Sequence, residues 1–403
     1  VNVPEPVRDL AAGLARQEAG LPAYVYDLAG LDEHVAGIRR ALPPGLELYY
    51  AVKANPDPAV LRTVARHADG LEVSSAGEAG HAAAAVPGAA LAFGGPGKSA
   101  ADLAAAVRAG VRRVHVESPH ELPALAAAAR AAGRPVDVLF RANPPASGPE
   151  AAVRDMLQMG ASPTAFGMDQ QLLEQARQAL AGRHLASVLR LRGLHAHLAS
   201  GLDADAALRT GREVLDFGRR WCARHHVARP EFTLGGGMAV DYTRPGDRFG
   251  WAAYGRGLAA LARSGLPGET LRIEPGRAVT AYCGWYLTRV LDVKHSYGRA
   301  FAVVAGGTHH LRTPAAKGHS QPFAVLPVDA WEHGWPRPVV GGEPVTIAGQ
   351  LCTPKDVLAR EVPAGRLRVG DLVAFGLAGA YAWNISHHEF LMHPPPAVCY
   401  LNR

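Results

Sequence analysis

The sequence predicts an α/β protein: a closed (β/α)8 barrel followed by an all-β domain. Three observations carry this. From about residue 46 to residue 276, short apolar runs alternate with Ala-rich stretches of helical spacing. Eight such runs fall within roughly 230 residues, which favours a closed barrel over an open doubly wound sheet. After Thr280 the helical spacing stops while β-type runs continue between Gly and Pro clusters.

In chain order, Ala23–Asp27 reads as a strand that belongs with the second domain. The barrel candidates are Leu46–Lys53, Gly70–Ser74, Ala90–Phe93, Arg113–Val116, Val136–Arg141, Gly193–His197, Glu231–Leu234 and Leu271–Glu274. Between them, stretches such as Pro58–Ala68, apolar at Val60, Leu61, Val64, Ala65 and Ala68, read as amphipathic helices. Ser75, followed three residues later by Glu78, reads as a capping box. Beyond Thr280 the runs Trp285–Val293, Ala300–Ala305, Phe323–Val328, Pro344–Ile347 and Asp371–Phe375 are β-type. The expected division is a barrel over 28–278 and a β-sandwich or barrel-like domain from 1–27 and 279–403.

Composition narrows the function. With 48% hydrophobic and 19% charged residues, disorder, collagen and coiled coil are poor readings. Lys and Arg number 42 against 36 Asp and Glu, a net +6 without runs of like charge. That disfavours a nucleic-acid partner and suits steering of an anionic small molecule. Cys222, Cys283, Cys352 and Cys399 lie far apart with no CxxC, so neither a zinc site nor a disulfide framework is expected. The N-terminus lacks the pattern of a signal peptide, and no apolar run reaches the ~18 residues of a membrane span. A cytoplasmic protein without a membrane partner is the expectation.

A barrel of this kind builds its active site at the carboxyl ends of its strands. Strand one ends in YAVKAN, placing Lys53 where a partly desolvated amine becomes a nucleophile, although most lysines at such places are surface residues. Glu72 lies within strand two, with structural and functional readings level. HAHLAS places His195 and His197 on one extended segment, as metal ligands or ring-stacking groups. No third ligand and no HExxH is evident, which disfavours a metal. Gly235, Gly236 and Gly237 close strand seven, where bare N–H groups can meet a phosphate or simply make a tight turn. EPGR sets Glu274 and Arg277 either as an ion pair or as functional groups. The β domain offers Cys352 and Lys355 in GQLCTPKD and Tyr381 in GAYAWN. The pairs His225–His226, His309–His310 and His387–His388 read mostly as surface or local hydrogen-bonding residues.

In this order the motifs resemble the fold-type III pyridoxal phosphate decarboxylases, the alanine racemase-like barrel group that contains diaminopimelate, ornithine and arginine decarboxylases. The resemblance runs from YAVKAN to GAYAWN. It implies pyridoxal 5'-phosphate as cofactor, held by Lys53 as a Schiff base, with His197 stacked on its ring and Glu274 at its ring nitrogen. Ser200, the Gly235–Gly237 backbone, Arg277 and Tyr381 would hold the phosphate. HLASG departs from the family's HIGSQ, which weakens the assignment of Ser200. Cys352 would act as the proton donor and, in the family, comes from the partner subunit of a homodimer with shared active sites. A racemase of the same barrel would place an arginine at the ring nitrogen, and the small cofactor-binding proteins of the group lack a β domain. Glu274 and Cys352 therefore imply decarboxylation.

The substrate is implied by departures from the family pattern. Where the diaminopimelate and ornithine enzymes follow the cysteine with an acid that holds a distal amine, this chain has Thr353, Pro354 and Lys355. Arg312 in HHLRTP aligns with an arginine that holds a distal carboxylate. Two cations imply a carboxylate-rich amino acid. The chain resembles the branch that decarboxylates citryl-diaminopropionate intermediates in siderophore assembly of the staphyloferrin B type, with meso-diaminopimelate decarboxylation in lysine synthesis as the alternative.

Overall fold

Eight parallel strands close into a barrel in strict chain order: β1 (Glu47–Ala51), β2 (Gly70–Val73), β3 (Leu91–Phe93), β4 (Arg113–Val116), β5 (Val136–Arg141), β6 (Leu189–His195), β7 (Glu231–Thr233) and β8 (Thr270–Ile273), with β8 returning to β1. This computed structural model describes residues 1–17, 20–145, 157–158, 160 and 163–402. The chain forms two units, one of Asp32–Ala239 with Phe249–Val279, the other of Val1–Leu31, Val240–Arg248 and Thr280–Arg403.

Most strand residues are buried because the strands are covered on both sides, and every residue of β2 and β3 is buried. Their boundaries differ from the sequence reading where side chains turn to other work. β1 stops at Ala51 and Val52–Ala54 forms a 3-10 turn, so Lys53 stands on the turn after the strand. β6 begins at Leu189, ahead of the expected Gly193, and ends at His195. β8 ends at Ile273, which leaves Glu274 as the first residue past it.

Between strands, Asp57 caps the helix Pro58–Ala65 by accepting from the amides of Ala59 and Val60, and Val60, Leu61 and Val64 form its buried stripe. Ser75 accepts from the Glu78 amide at 3.0 Å as a capping box requires. The Glu78 carboxylate instead accepts from the amide of Ser74 at 2.6 Å, so the reciprocal half of the box is displaced by one residue.

Low in the barrel lies a charged layer. Arg272 has no exposed side-chain surface and pairs with Glu47 and Glu231, while Arg113 and Arg192 reach Glu231 at 2.7 and 3.0 Å. Buried charges persist only when paired in this way.

In the other unit, the long strand Gly284–Ser296 pairs with Ala23–Asp27, Arg299–Val304 and Leu372–Phe375. Ala23–Asp27 also pairs in parallel with Ala397–Leu401. The helix Glu5–Ala15 lays Val7, Ala11 and Leu14 against Val25, Trp285, Leu287 and Ala374. Neither this helix nor the strand Ala397–Leu401 is part of the sequence reading, because each is a short apolar segment beside prolines. Among the described residues, no helix is long and apolar enough to cross a membrane.

Candidate active site

Lys53 Nζ donates to Glu72 Oε2 at 2.6 Å and to Ser74 Oγ at 3.2 Å. Ser74 Oγ in turn donates to Glu72 Oε1 at 3.2 Å. The Glu72 side chain is 6% exposed and that of Lys53 is 45%, so a sunken carboxylate holds an accessible amine. Glu72, level between two readings in the sequence, is the partner of Lys53.

Glu274 follows β8, the strand beside β1, and parallel pairing brings it to the same carboxyl end as Lys53. Its Oε2 lies 3.0 Å from His195 Nε2, and its Oε1 has no hydrogen-bond partner. Burial pushes the Glu274 carboxyl up to about 7, against the opposing pull of Arg272, Lys53, Arg141 and Arg113. Burial, then the charge of Arg141, pushes His195 down to about 3. The pair is thus a neutral imidazole against a carboxyl poised to gain or lose its proton. An unsatisfied buried oxygen costs about 1–3 kcal/mol, so Oε1 stands ready to accept a hydrogen bond.

The imidazole of His115 stacks on that of His195, with ring centroids 4.1 Å apart and planes 24° from parallel. Ligand-type atoms of His115, His195 and Glu274 lie within 4.8 Å of one another, so the third group absent from the sequence reading exists in space. Stacked rings hold their lone pairs in nearly parallel planes that do not converge on a point, which favours hydrogen bonding over metal ligation.

His195 and His197 do different work. His197 Nδ1 accepts from the Gly236 amide at 3.2 Å, and Ser200 Oγ lies 3.5 Å from His197 Nε2. Burial and the Lys53 charge push His197 down to about 3. The glycine run is required by this close approach: at Gly235, with φ 67°, a Cβ would sit 2.6 Å from His197 Nδ1, and at Gly237, with φ 88°, 2.2 Å from the Ala199 carbonyl. The Gly236 N–H thereby ties the middle of the glycine run to the His197 ring. Arg277 opens the short helix Arg277–Thr280 that follows Glu274.

The remaining candidates belong to the other unit. Arg312, Cys352 and Lys355 are exposed there, and Tyr381 is half-buried with φ 50°. Buried Asp356 ties two of their loops together, accepting from the amides of Thr308 at 2.6 Å and Leu351 at 2.8 Å. Thr313 Oγ1 donates to the Tyr381 carbonyl, and the Arg312 amide donates to Ser386 Oγ at 3.1 Å. His309 and His310 are buried and not surface residues; His310 Nδ1 lies 3.0 Å from the Tyr286 hydroxyl.

The residues at the barrel mouth fit pyridoxal phosphate: an accessible lysine amine, a glycine cradle that a Cβ would fill, and an orphaned carboxyl oxygen. The family model described as "Pyridoxal-dependent decarboxylase, pyridoxal binding domain" matches residues 28–281. The chain belongs to the pyridoxal-dependent decarboxylases. This decarboxylase is 35% identical over 94% of both chains to the 2-[(L-alanin-3-ylcarbamoyl)methyl]-2-hydroxybutanedioate decarboxylase of Staphylococcus aureus. It is 31% identical to the diaminopimelate decarboxylase of Deinococcus radiodurans, over 95% of this chain and 90% of that one. The Helicobacter pylori diaminopimelate decarboxylase solved with L-lysine shares the fold, with a TM-score of 0.78 at 22% identity over 94% of this chain and 91% of that one. The enzyme is a carboxy-lyase and its cofactor is pyridoxal 5'-phosphate.

Absent from the sequence-based site are Ser74, His115, Arg141 with its partner Glu117 at 2.8 Å, and Asp356. Their common signal is weak: each of the barrel residues is a polar side chain near the carboxyl end of a strand.

Proposed function

We propose that this decarboxylase acts on an amino acid whose far end carries carboxylates, of the citryl-diaminopropionate type found in carboxylate siderophore assembly. The observation that carries the substrate class is the chemistry beside Cys352. Thr353, Pro354 and Lys355 follow it, and Asp356 holds that loop to the segment bearing Arg312, so two exposed cations lie on joined loops. The staphylococcal relative's name describes a substrate with a 2-hydroxybutanedioate end, which supports this reading. The diaminopimelate decarboxylases among the relatives support the second reading, meso-diaminopimelate.

Bound pyridoxal phosphate supplies the electron sink for the pair released with carbon dioxide. Lys53 anchors it through its amine, and Glu72 at 2.6 Å accepts and returns the proton of that amine. Glu274 holds a proton toward the ring nitrogen. His197, fixed by Gly236, covers one ring face against water. Ser200, the Gly235–Gly237 segment, Arg277 and Tyr381 bind the phosphate. Arg312 and Lys355 bind the distal carboxylates. Cys352 of the partner subunit protonates the carbon that has lost its carboxylate, which makes the working form a homodimer with shared sites.

Carbon dioxide release is to be measured from the citryl-diaminopropionate conjugate and from meso-diaminopimelate in parallel. Turnover of the conjugate with little from diaminopimelate is the expected result. The reverse ranking rejects the siderophore-type substrate while leaving the decarboxylase in place.

A further inference from the structure

His115 has no part in the chemistry above, and its burial calls for a reason. Its side chain is 1% exposed and neither ring nitrogen has a hydrogen-bond partner. Phenylalanine or leucine would fill the same space without leaving buried nitrogens unsatisfied, so packing alone does not account for an imidazole here. Burial, reinforced by His195, Arg272, Arg113 and Arg141, keeps the ring neutral, which leaves it one N–H to donate. His115 Nε2 is 3.6 Å from Glu274 Oε1, just beyond bonding distance, and that oxygen also lacks a partner. The backbone makes room for this approach. At Gly94 a Cβ would lie 3.3 Å from His115 Nδ1 and 3.1 Å from Glu72 Oε1, so glycine lets the imidazole stand against the wall that carries the lysine's carboxylate.

We propose that His115 is a positioning residue that donates its Nε2–H to Glu274 Oε1 whenever Glu274 is ionised. With His195 on Oε2, it holds the carboxylate in the orientation that faces the ring nitrogen of the cofactor. The orientation rests on the reading of Glu274 given above; the His115–Glu274 coupling does not. A donor unsatisfied in one protonation state and bonded in the other makes the proton on Glu274 easy to give up.

Glu274 is faced by several charges: Arg272 on β8, Lys53 after β1, Arg113 on β4 and Arg141 on β5. His195 on β6 bonds it directly, and Glu72 on β2 lies across Gly94 from His115. All of these remain when His115 alone is changed, so a change in the Glu274 titration reports His115.

The full chain, freed of cofactor and labelled with 13C at Glu carboxyls, is titrated by carbon NMR, and the Glu274 signal is identified by its loss in Glu274→Gln. His115→Phe keeps a stacking ring and removes the donor. The Glu274 midpoint is expected to rise by about one pH unit, a tenfold weaker hold on the carboxylate. An unchanged midpoint overturns the proposal. Should His115→Phe fail to fold, 15N-histidine spectra of the unmutated chain decide. The His115 Nε2 signal is expected to move through the Glu274 titration while the ring stays neutral, and a static signal overturns the proposal. A third measurement uses the chain loaded with ring-15N pyridoxal phosphate. If Glu274→Gln leaves that nitrogen signal unmoved, the orientation of Glu274 toward the cofactor is wrong, whatever the first two titrations give for His115.

Discussion

Lys53 Nζ, on the turn after β1, and Glu72 Oε2, on the neighbouring β2, meet at 2.6 Å, the carboxylate buried and the amine open to the barrel mouth. Glu72 fixes where the amine stands and balances its charge. Lys53→Ala is expected to lower decarboxylation at least about a thousandfold, ~4 kcal/mol of barrier. After borohydride reduction, peptide mass analysis should find the cofactor on Lys53 in the natural chain and nowhere in the variant. Glu72→Gln keeps the shape and loses the charge, and a fall of about a hundredfold in kcat is expected from the weakened proton transfer.

Protonation of Glu274 should be visible in stability. Its folded value of about 7 exceeds the unfolded 4.5, so its contribution is fully present below pH 4.5 and is lost as pH rises through 7. Glu274→Gln cannot lose it. Denaturant midpoints of the cofactor-free chains should favour the variant increasingly between pH 4.5 and pH 8, by roughly 3 kcal/mol in total. A constant difference across that range would contradict the buried carboxyl. His195, held down to about 3, works in the opposite sense, its stability being present above pH 6.5 and lost as pH falls through 3. The comparison with Glu274→Gln isolates the carboxyl from it.

Gly237→Ala is expected to destabilise the chain by about 1–3 kcal/mol, since its φ of 88° is left-handed and the new Cβ would sit 2.2 Å from the Ala199 carbonyl. Because Ala199 and Ser200 share that segment with His197, weaker binding of pyridoxal phosphate should accompany the loss. Fluorescence titration of cofactor into the apoprotein measures it.

Asp356→Ala removes the acceptor of two buried amides and is expected to cost about 2–5 kcal/mol, read from the thermal midpoint. Asp356→Asn, which keeps one acceptor, should fall between the two. At Gly307 and Gly349 a Cβ would come within 2.5 and 2.2 Å of the Asp356 carboxylate, so these glycines exist to admit it.

The alternation of apolar runs with helical spacing made the eight barrel strands legible, because strands covered on both faces are enriched in apolar residues. Ends were less legible. Lys53 looked like the last residue of a strand and stands on a 3-10 turn, since hydrophobicity marks burial and does not mark where hydrogen bonding to the neighbour ceases. The candidate residues that stood in motifs, Lys53, His197, Glu274 and the glycines, all follow the carboxyl ends of barrel strands. Contacts between distant segments were not legible, and His115 and His195, far apart in sequence, touch only because β4 and β6 both face the barrel interior.

By itself the sequence determined the barrel, because periodicity is a local property, while the reaction class followed from the resemblance of its motifs to a known family. Only the tertiary structure decided the partners: Glu72 for Lys53, His195 and His115 for Glu274, Gly236 for His197, Asp356 for the loop that carries Cys352. Pairing depends on which strand ends are brought within about 3 Å. That is a property of barrel closure and burial, and neither is written in any one stretch of chain.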